Sequence, residues 1–128
     1  MTDRPTVLVV EDNDSMRKLL FTELSLDGRF HVEQAATGEE GLAKAVSSDC
    51  NVIVLDMMLP DTDGLQFIEQ LRIKRPDCPS IIAITGAPTS AVPDGMIEGQ
   101  YRGFVSAIFR KPFDHAKLLE TVAFCAVG

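Results

Sequence analysis

Thr6-Val7-Leu8-Val9-Val10-Glu11-Asp12-Asn13 and Asn51-Val52-Ile53-Val54-Leu55-Asp56 are the stretches that decide the fold. Each is a continuous, largely β-branched apolar run that breaks at once into carboxylates. A strand with one wet face alternates apolar and polar residues, whereas a strand apolar on both faces is sandwiched between two layers, as in a parallel sheet. Three further runs read as strands. Phe30 to Ala35 reads as a second strand, Ser80-Ile81-Ile82-Ala83-Ile84 ends at Thr85-Gly86, and Ala107-Ile108-Phe109-Arg110 ends at Lys111-Pro112.

Helical periodicity fills the gaps. From about Ser15 to Leu26, the residues Met16, Leu19, Leu20 and Leu24 recur at helical spacing, with Asp14 or Ser15 as the expected N-cap and Asp27-Gly28 as the stop. Thr37-Gly38 opens a second helix through about Ser47, with Leu42, Ala43 and Val46 on one face. Pro60, Asp61, Asp63 and Gly64 mark a loop, and Leu65, Ile68 and Leu71 set a third helix that ends before Pro76. Asp114 is the expected cap of a last helix with Leu118, Leu119 and Val122 facing inward. Strands alternating with amphipathic helices predict an α/β fold, a doubly wound five-stranded parallel sheet covered on both faces. Pro88, Pro93, Gly95, Gly99 and Gly103 fall between Gly86 and Phe104. Pro and Gly cost roughly 3 and 1 kcal/mol inside a helix, so the fourth helix is expected to be short or irregular.

Composition narrows the function. With 128 residues, 45% hydrophobic and 24% charged, the chain reads as one globular domain without linker, repeat or low-complexity tract. The net charge of −7 is uneven: residues 1–63 hold thirteen acids and five bases, residues 64–128 six acids and seven bases. Phosphate backbones are bound by Lys and Arg, so direct nucleic-acid binding is not expected. A bound cation is, and the acidic first half is where to look. Cys50, Cys78 and Cys125 have no metal-like or redox-like spacing and are read as reduced, partly buried thiols. No signal-peptide pattern follows Met1, and no apolar run approaches the ~20 residues that cross a bilayer, so a cytoplasmic location is expected.

In an open α/β sheet, ligands gather outside the carboxyl ends of the strands. Those ends carry Glu11 and Asp12 (first strand), Asp56 (third), Thr85 (fourth) and Lys111 (fifth). Taken singly, an acid there solvates a loop, a Thr before Gly makes a turn, and a Lys is a rim charge. Together they place three carboxylates on one rim. Two unit charges ~4 Å apart repel by about 4 kcal/mol at an effective dielectric of 20. A hard divalent cation relieves this, and Mg²⁺ fits best because it takes a few carboxylates and keeps waters and a substrate phosphate. Lys111 adds a point charge for a phosphoryl oxygen, and Thr85 a hydroxyl donor.

Val7–Asn13, Val52–Gly64 (Val-Ile-Val-Leu-Asp-Met-Met-Leu-Pro-Asp-Thr-Asp-Gly), Ile82–Gly86 and Phe109–Phe113 together resemble the receiver domain of two-component response regulators. The resemblance covers the whole chain, 1–128. It implies a flavodoxin-like strand order 2-1-3-4-5. It implies Asp56 as phosphoacceptor, taking a phosphoryl group from a phosphohistidine on a sensor histidine kinase or phosphotransfer protein. Glu11, Asp12, Asp56 and the backbone carbonyl of Met58 would hold Mg²⁺, Lys111 would pair with the phosphoryl group, and Thr85 would move to hydrogen-bond it. The Lys111–Pro112 bond would be cis, and the fourth-helix and fifth-strand face would signal to a downstream protein. Such a domain is a phosphoacceptor rather than a conventional enzyme.

Some positions depart from the family pattern. Three residues before the site Lys, receivers place Tyr or Phe; here Ile108 stands there and Phe109 follows. The Thr85–Lys111 gap is longer than usual. Met58 and Ala87 stand at positions that tune phosphate lifetime, and neither side chain can orient water by a hydrogen bond, which implies a long-lived phosphoryl-aspartate. Two other readings stand behind this one. In the first, the fold is a binding module that phosphorylation no longer switches. In the second it is an aspartyl-phosphate phosphatase, which would place the nucleophile after the first strand with a second Asp two residues on, where this chain has Met58.

Overall fold

The computed structural model describes residues 4–86 and 105–127. In chain order they form β1 (Thr6–Val10), α1 (Asp14–Asp27), β2 (His31–Ala35), α2 (Gly38–Ser47), β3 (Val52–Asp56), α3 (Gly64–Lys74), β4 (Ser80–Thr85), β5 (Val105–Arg110) and α4 (His115–Val127). The fourth helix expected from the sequence, with Ala87, lies outside the described residues. All strand pairs are parallel and the sheet order is β2-β1-β3-β4-β5.

Successive side chains on a strand point to opposite faces, so a strand apolar throughout feeds two cores. Leu8, Val10, Ile53, Leu55, Ile81 and Ala83 pack on one face with Ala45 of α2 and Phe67, Ile68 and Leu71 of α3. Val7, Val9, Val52, Val54, Ile82 and Ile84 pack on the other with Leu20 and Leu24 of α1 and Leu118 and Val122 of α4. In-register pairing of Val10 with Leu55 and of Asp56 with Ile84 brings β1, β3 and β4 to the same edge, so their last residues share one rim.

Two local expectations need correction. The N-cap of α1 is Asn13, whose Oδ1 accepts from Met16 N at 2.8 Å. Asp14 lies inside the first turn, where its charge favours the helix N-terminus. The buried face of α2 is Gly38, Gly41 and Ala45, while Val46 is exposed. A Cβ on Gly41 would stand 2.8 Å from a Val10 methyl, so the helix lies directly on β1 and only glycine admits that approach. Asp63 caps α3 by accepting from Gln66 N at 2.9 Å, and Asp114, as expected, accepts from Ala116 N at 2.9 Å at the start of α4.

The opposite end of the sheet is tied by Arg75. Its Nη1 lies 3.0 Å from Ala45 O, 3.3 Å from Cys50 O and 3.4 Å from Ser48 O, joining the ends of α2 and α3 to the start of β3. The three cysteines are free, as expected, and all line a cavity at this end. Removing Arg75 strands several carbonyls in a part-buried site. Arg75→Ala is therefore expected to destabilise the protein by about 2–3 kcal/mol, read as a lower denaturant midpoint. A midpoint equal to the parent's would show that water replaces the guanidinium without loss.

Candidate functional site

The rim is built by backbone before side chains enter. Glu11 follows β1 but keeps its ladder, donating from its N–H to Ala35 O at 3.1 Å. Met57 N donates to Ile84 O at 2.9 Å, and Lys111 N donates to Thr85 O at 2.8 Å. Three loops thus leave the sheet from fixed points. The Lys111–Pro112 bond is cis, as the resemblance implies.

Glu11, Asp12 and Asp56 each present a carboxylate oxygen, all within 4.8 Å of one another. Glu11 and Asp56 are buried, 1% and 5% exposed, and Asp12 is exposed. Asp56 Oδ1 accepts from Met58 N at 2.9 Å, and Glu11 Oε2 accepts from Asn13 N at 3.1 Å. Lys111 reaches across: its Nζ is 3.0 Å from Glu11 Oε1 and 3.4 Å from Asp56 Oδ2. Thr85 closes the rim, buried at the end of β4 and paired in the ladder with Arg110. Glu11, Asp12, Asp56, Met58, Thr85 and Lys111 all stand at this edge.

The electrostatics follow from burial. Desolvation and the neighbouring Asp56 push the Glu11 carboxyl up to about 7, against the opposing pull of Lys111 and the Asn13 amide. Burial works against the Lys111 ammonium, but Glu11 and Asp56 outweigh it and hold its pKa above the ordinary lysine value. One cation facing three carboxylates leaves the site electron-rich. Glu11 Oε1 is buried and, though near Lys111, receives no hydrogen bond. An all-oxygen, carboxylate-rich set with one buried oxygen lacking a hydrogen-bond donor fits a hard divalent cation of the Mg²⁺ type.

Arg17 escaped the sequence reading. Its Nη1 donates to Glu11 O at 3.0 Å, its Nη2 pairs with Asp14 at 2.6 Å, and its Nε donates to Gln34 at 3.3 Å. It braces the Glu11–Asn13 turn from below. The only signal in the sequence was a base one turn into a helix that follows a run of acids. Ile108 packs on the α2/α3 face, whereas Phe109 lies on the α1/α4 face, edge-on to Phe113 with ring centroids 6.0 Å apart. Phe113 in turn stacks on His115, which bonds Glu23 of α1 at 2.6 Å. His115 is therefore a half-buried link between α1 and α4.

A parallel α/β sheet with an acidic pocket and a lysine at the carboxyl ends of its strands fits a phosphoacceptor signalling module. Residues 7–123 match the family described as "Response regulator receiver domain", and the chain belongs to that family. It is 31% identical over 123 residues to the "DNA-binding dual master transcriptional regulator RpaA" of Synechocystis sp., covering 92% of this chain and 47% of that protein. Among solved structures, a CheY-like receiver domain protein from Methanospirillum hungatei superposes with a TM-score of 0.82 at 27% identity, over 95% of this chain and 93% of the other. The response regulator TrrA of Thermotoga maritima, in complex with Mg²⁺-BeF, superposes with a TM-score of 0.76 at 27% identity, over 94% and 98% of the two chains. The chain spans half or less of the length of the curated relatives it matches. Among the described residues no helix is long and apolar enough to cross a membrane.

The raised Glu11 pKa has a stability consequence. Between the ordinary carboxyl value of 4.5 and about 7, the folded state holds a proton that the unfolded chain releases, so this group's contribution falls as pH rises through that window. Without metal, Glu11→Gln is expected to gain stability relative to the parent on going from pH 5 to pH 8, by about 1 kcal/mol or a few degrees in Tm. Thermal melts in chelator at both pH values check this; an equal offset at the two would contradict it.

Proposed function

We propose that residues 1–128 are a receiver domain that accepts a phosphoryl group on Asp56 from a phosphohistidine of a sensor histidine kinase or a histidine phosphotransfer protein, in a Mg²⁺-dependent reaction. The observation that carries this is the meeting of Glu11, Asp12 and Asp56 with Lys111 within one rim pocket. The TrrA complex with Mg²⁺-BeF supports the choice of cation and of a phosphoryl-like ligand.

In the proposed step a carboxylate oxygen of Asp56 attacks phosphorus, an acyl-phosphate bond forms and the phosphorus–nitrogen bond of the donor breaks. Mg²⁺, when bound by Glu11, Asp12, Asp56 and the Met58 carbonyl, supplies neutralisation of the phosphoryl oxygens. The chain supplies position and charge. The Met58 amide orients the Asp56 carboxylate, and Glu11 Oε2 is fixed by the Asn13 amide. Lys111 exchanges its contact with Asp56 for one with the incoming phosphoryl group. The Thr85 hydroxyl donates to the same group and transmits its presence along the edge of β4 and β5. A protein of this kind works in the cytoplasm beside its kinase and hands its state to a downstream protein.

Ile108 favours one variation on this reading. Among the described residues Ile108, not a ring, stands on the α2/α3 face near the end of β5, and Phe109 is engaged with Phe113 instead. A domain that is phosphorylated but read by a route other than an aromatic rotation accounts for this.

Incubation with a small acyl-phosphate donor and Mg²⁺, followed by intact mass, tests the function. The expected result is a gain of one phosphoryl group that chelator or Asp56→Asn abolishes. Persistence of the gain in Asp56→Asn overturns the assignment. Met58 is exposed and offers no hydrogen-bonding side chain beyond a weak thioether, so Met58→Asn is expected to speed hydrolysis of the phosphorylated form several-fold. An unchanged decay rate would remove Met58 from the account of phosphate lifetime.

A further inference from the structure

The loop from Met57 to Asp63 follows directly on Asp56 and carries Met58, yet its tip is exposed at Pro60 and Asp61. Its base is tied to the sheet through Met57 N to Ile84 O, 2.9 Å, and closed by Gly64 N donating to Met57 O, 3.0 Å. Met58 also bridges Asp63 in antiparallel fashion. Beyond this base, Leu59 packs partly against the core, Thr62 and Asp63 bond to Gln66 of α3, and Asp61 reaches across to α2.

Asp61 does not serve its own helix. Its Oδ1 accepts from Gly38 N and its Oδ2 from Glu39 N, both at 2.9 Å, across 23 and 22 residues of chain. These are first-turn amides of α2, which have no partners within their helix. The same helix start already holds its own cap: Thr37 Oγ1 accepts from Glu40 N at 3.1 Å, and Glu40 Oε1 accepts from Ala36 N at 3.0 Å. Gly38 completes the contact, since a Cβ there would overlap the Thr62 methyl. Both backbone donations hold the Asp61 carboxyl below the usual range, keeping it ionised and bonded. A two-pronged, charge-assisted clamp fixes direction as well as distance.

We propose that Asp61 is a positioning residue for the cation and phosphoacceptor site. By clamping the loop tip to the N-terminus of α2 it sets where Met58, and with it the Asp56 carboxylate, stands. α2 itself lies on β1 through Gly41, so the clamp references the β3–α3 loop to the strand that leads into Glu11 and Asp12. The two halves of the acidic site are thereby held to each other from outside it. The inference rests on reading this rim as a Mg²⁺-assisted phosphoacceptor.

The test compares Asp61→Ala and Asp61→Asn with Thr37→Ala, which weakens the same helix start without touching the loop. Two readouts are taken on the full chain: Mg²⁺ affinity by calorimetry, and hydrogen exchange at the Met58 amide in chelator. Asp61→Ala is expected to weaken Mg²⁺ at least fivefold and to speed Met58 exchange about tenfold, with Val54 exchange unchanged. Asp61→Asn, which keeps one acceptor, is expected in between and covers the case in which the alanine variant fails to fold. Thr37→Ala is expected to melt lower with both readouts at parent values. Parent-like Met58 exchange in Asp61→Ala, or equal effects from Thr37→Ala, overturns the proposal. Absence of Mg²⁺ binding by the parent chain would instead overturn the reading of the site, and the exchange arm would still decide the clamp.

Discussion

The convergence of Glu11, Asp12 and Asp56 at one edge of the sheet is the constraint on which the rest depends. Like charges at this spacing repel, and two of the three are also desolvated. A flexible chain would let them part. Here Asp56 ends β3, and Glu11 and Asp12 follow directly on β1; the neighbours of both strands are fixed by ladder bonds, and both faces of that sheet are packed with aliphatic side chains. Burial of the two cores stabilises what the site destabilises. The excess negative charge is then available for a cation, which a relaxed surface would not organise.

The supports around the site divide the work. Arg17 holds the Glu11 carbonyl, the Met58 amide holds Asp56, and Lys111 bridges the two buried carboxylates. None of these contacts lies far from the rim, and all of them run to backbone or to charge. Strand ends position the groups coarsely, and short polar contacts refine them. The arrangement is preorganised in the sense that matters for phosphoryl transfer, where the protein contributes position and electrostatics rather than covalent chemistry.

Much of this was legible in the sequence. Strands apolar on both faces have few alternatives, and the parallel order follows once helices separate them. The site residues were legible for the same reason, because Asp56 and Thr85 end strands and Glu11, Asp12, Met58 and Lys111 stand within two residues of a strand end. What was not legible has a common physical origin. The buried face of α2 is lined by Gly38 and Gly41, which leave no apolar signature, so Leu42, Ala43 and Val46 stood in for it. Asn13 competes with Asp14 and Ser15 as a cap, and only the backbone conformation selects among them. Asp61 reads locally as a turn residue beside Asp63. Asp63 does cap the helix that follows, but Asp61 caps one that began 23 residues earlier at Gly38, a contact that periodicity cannot report.

The central claim is that repulsion among these carboxylates is relieved by a divalent cation bound between them. The most direct measurement is the thermal midpoint of the parent chain titrated with Mg²⁺ against Na⁺ at matched ionic strength, alongside Asp12→Asn. A saturable rise with Mg²⁺ that Na⁺ does not reproduce and Asp12→Asn largely loses is the predicted result. A midpoint that follows ionic strength alone, identical for the two salts, would contradict it.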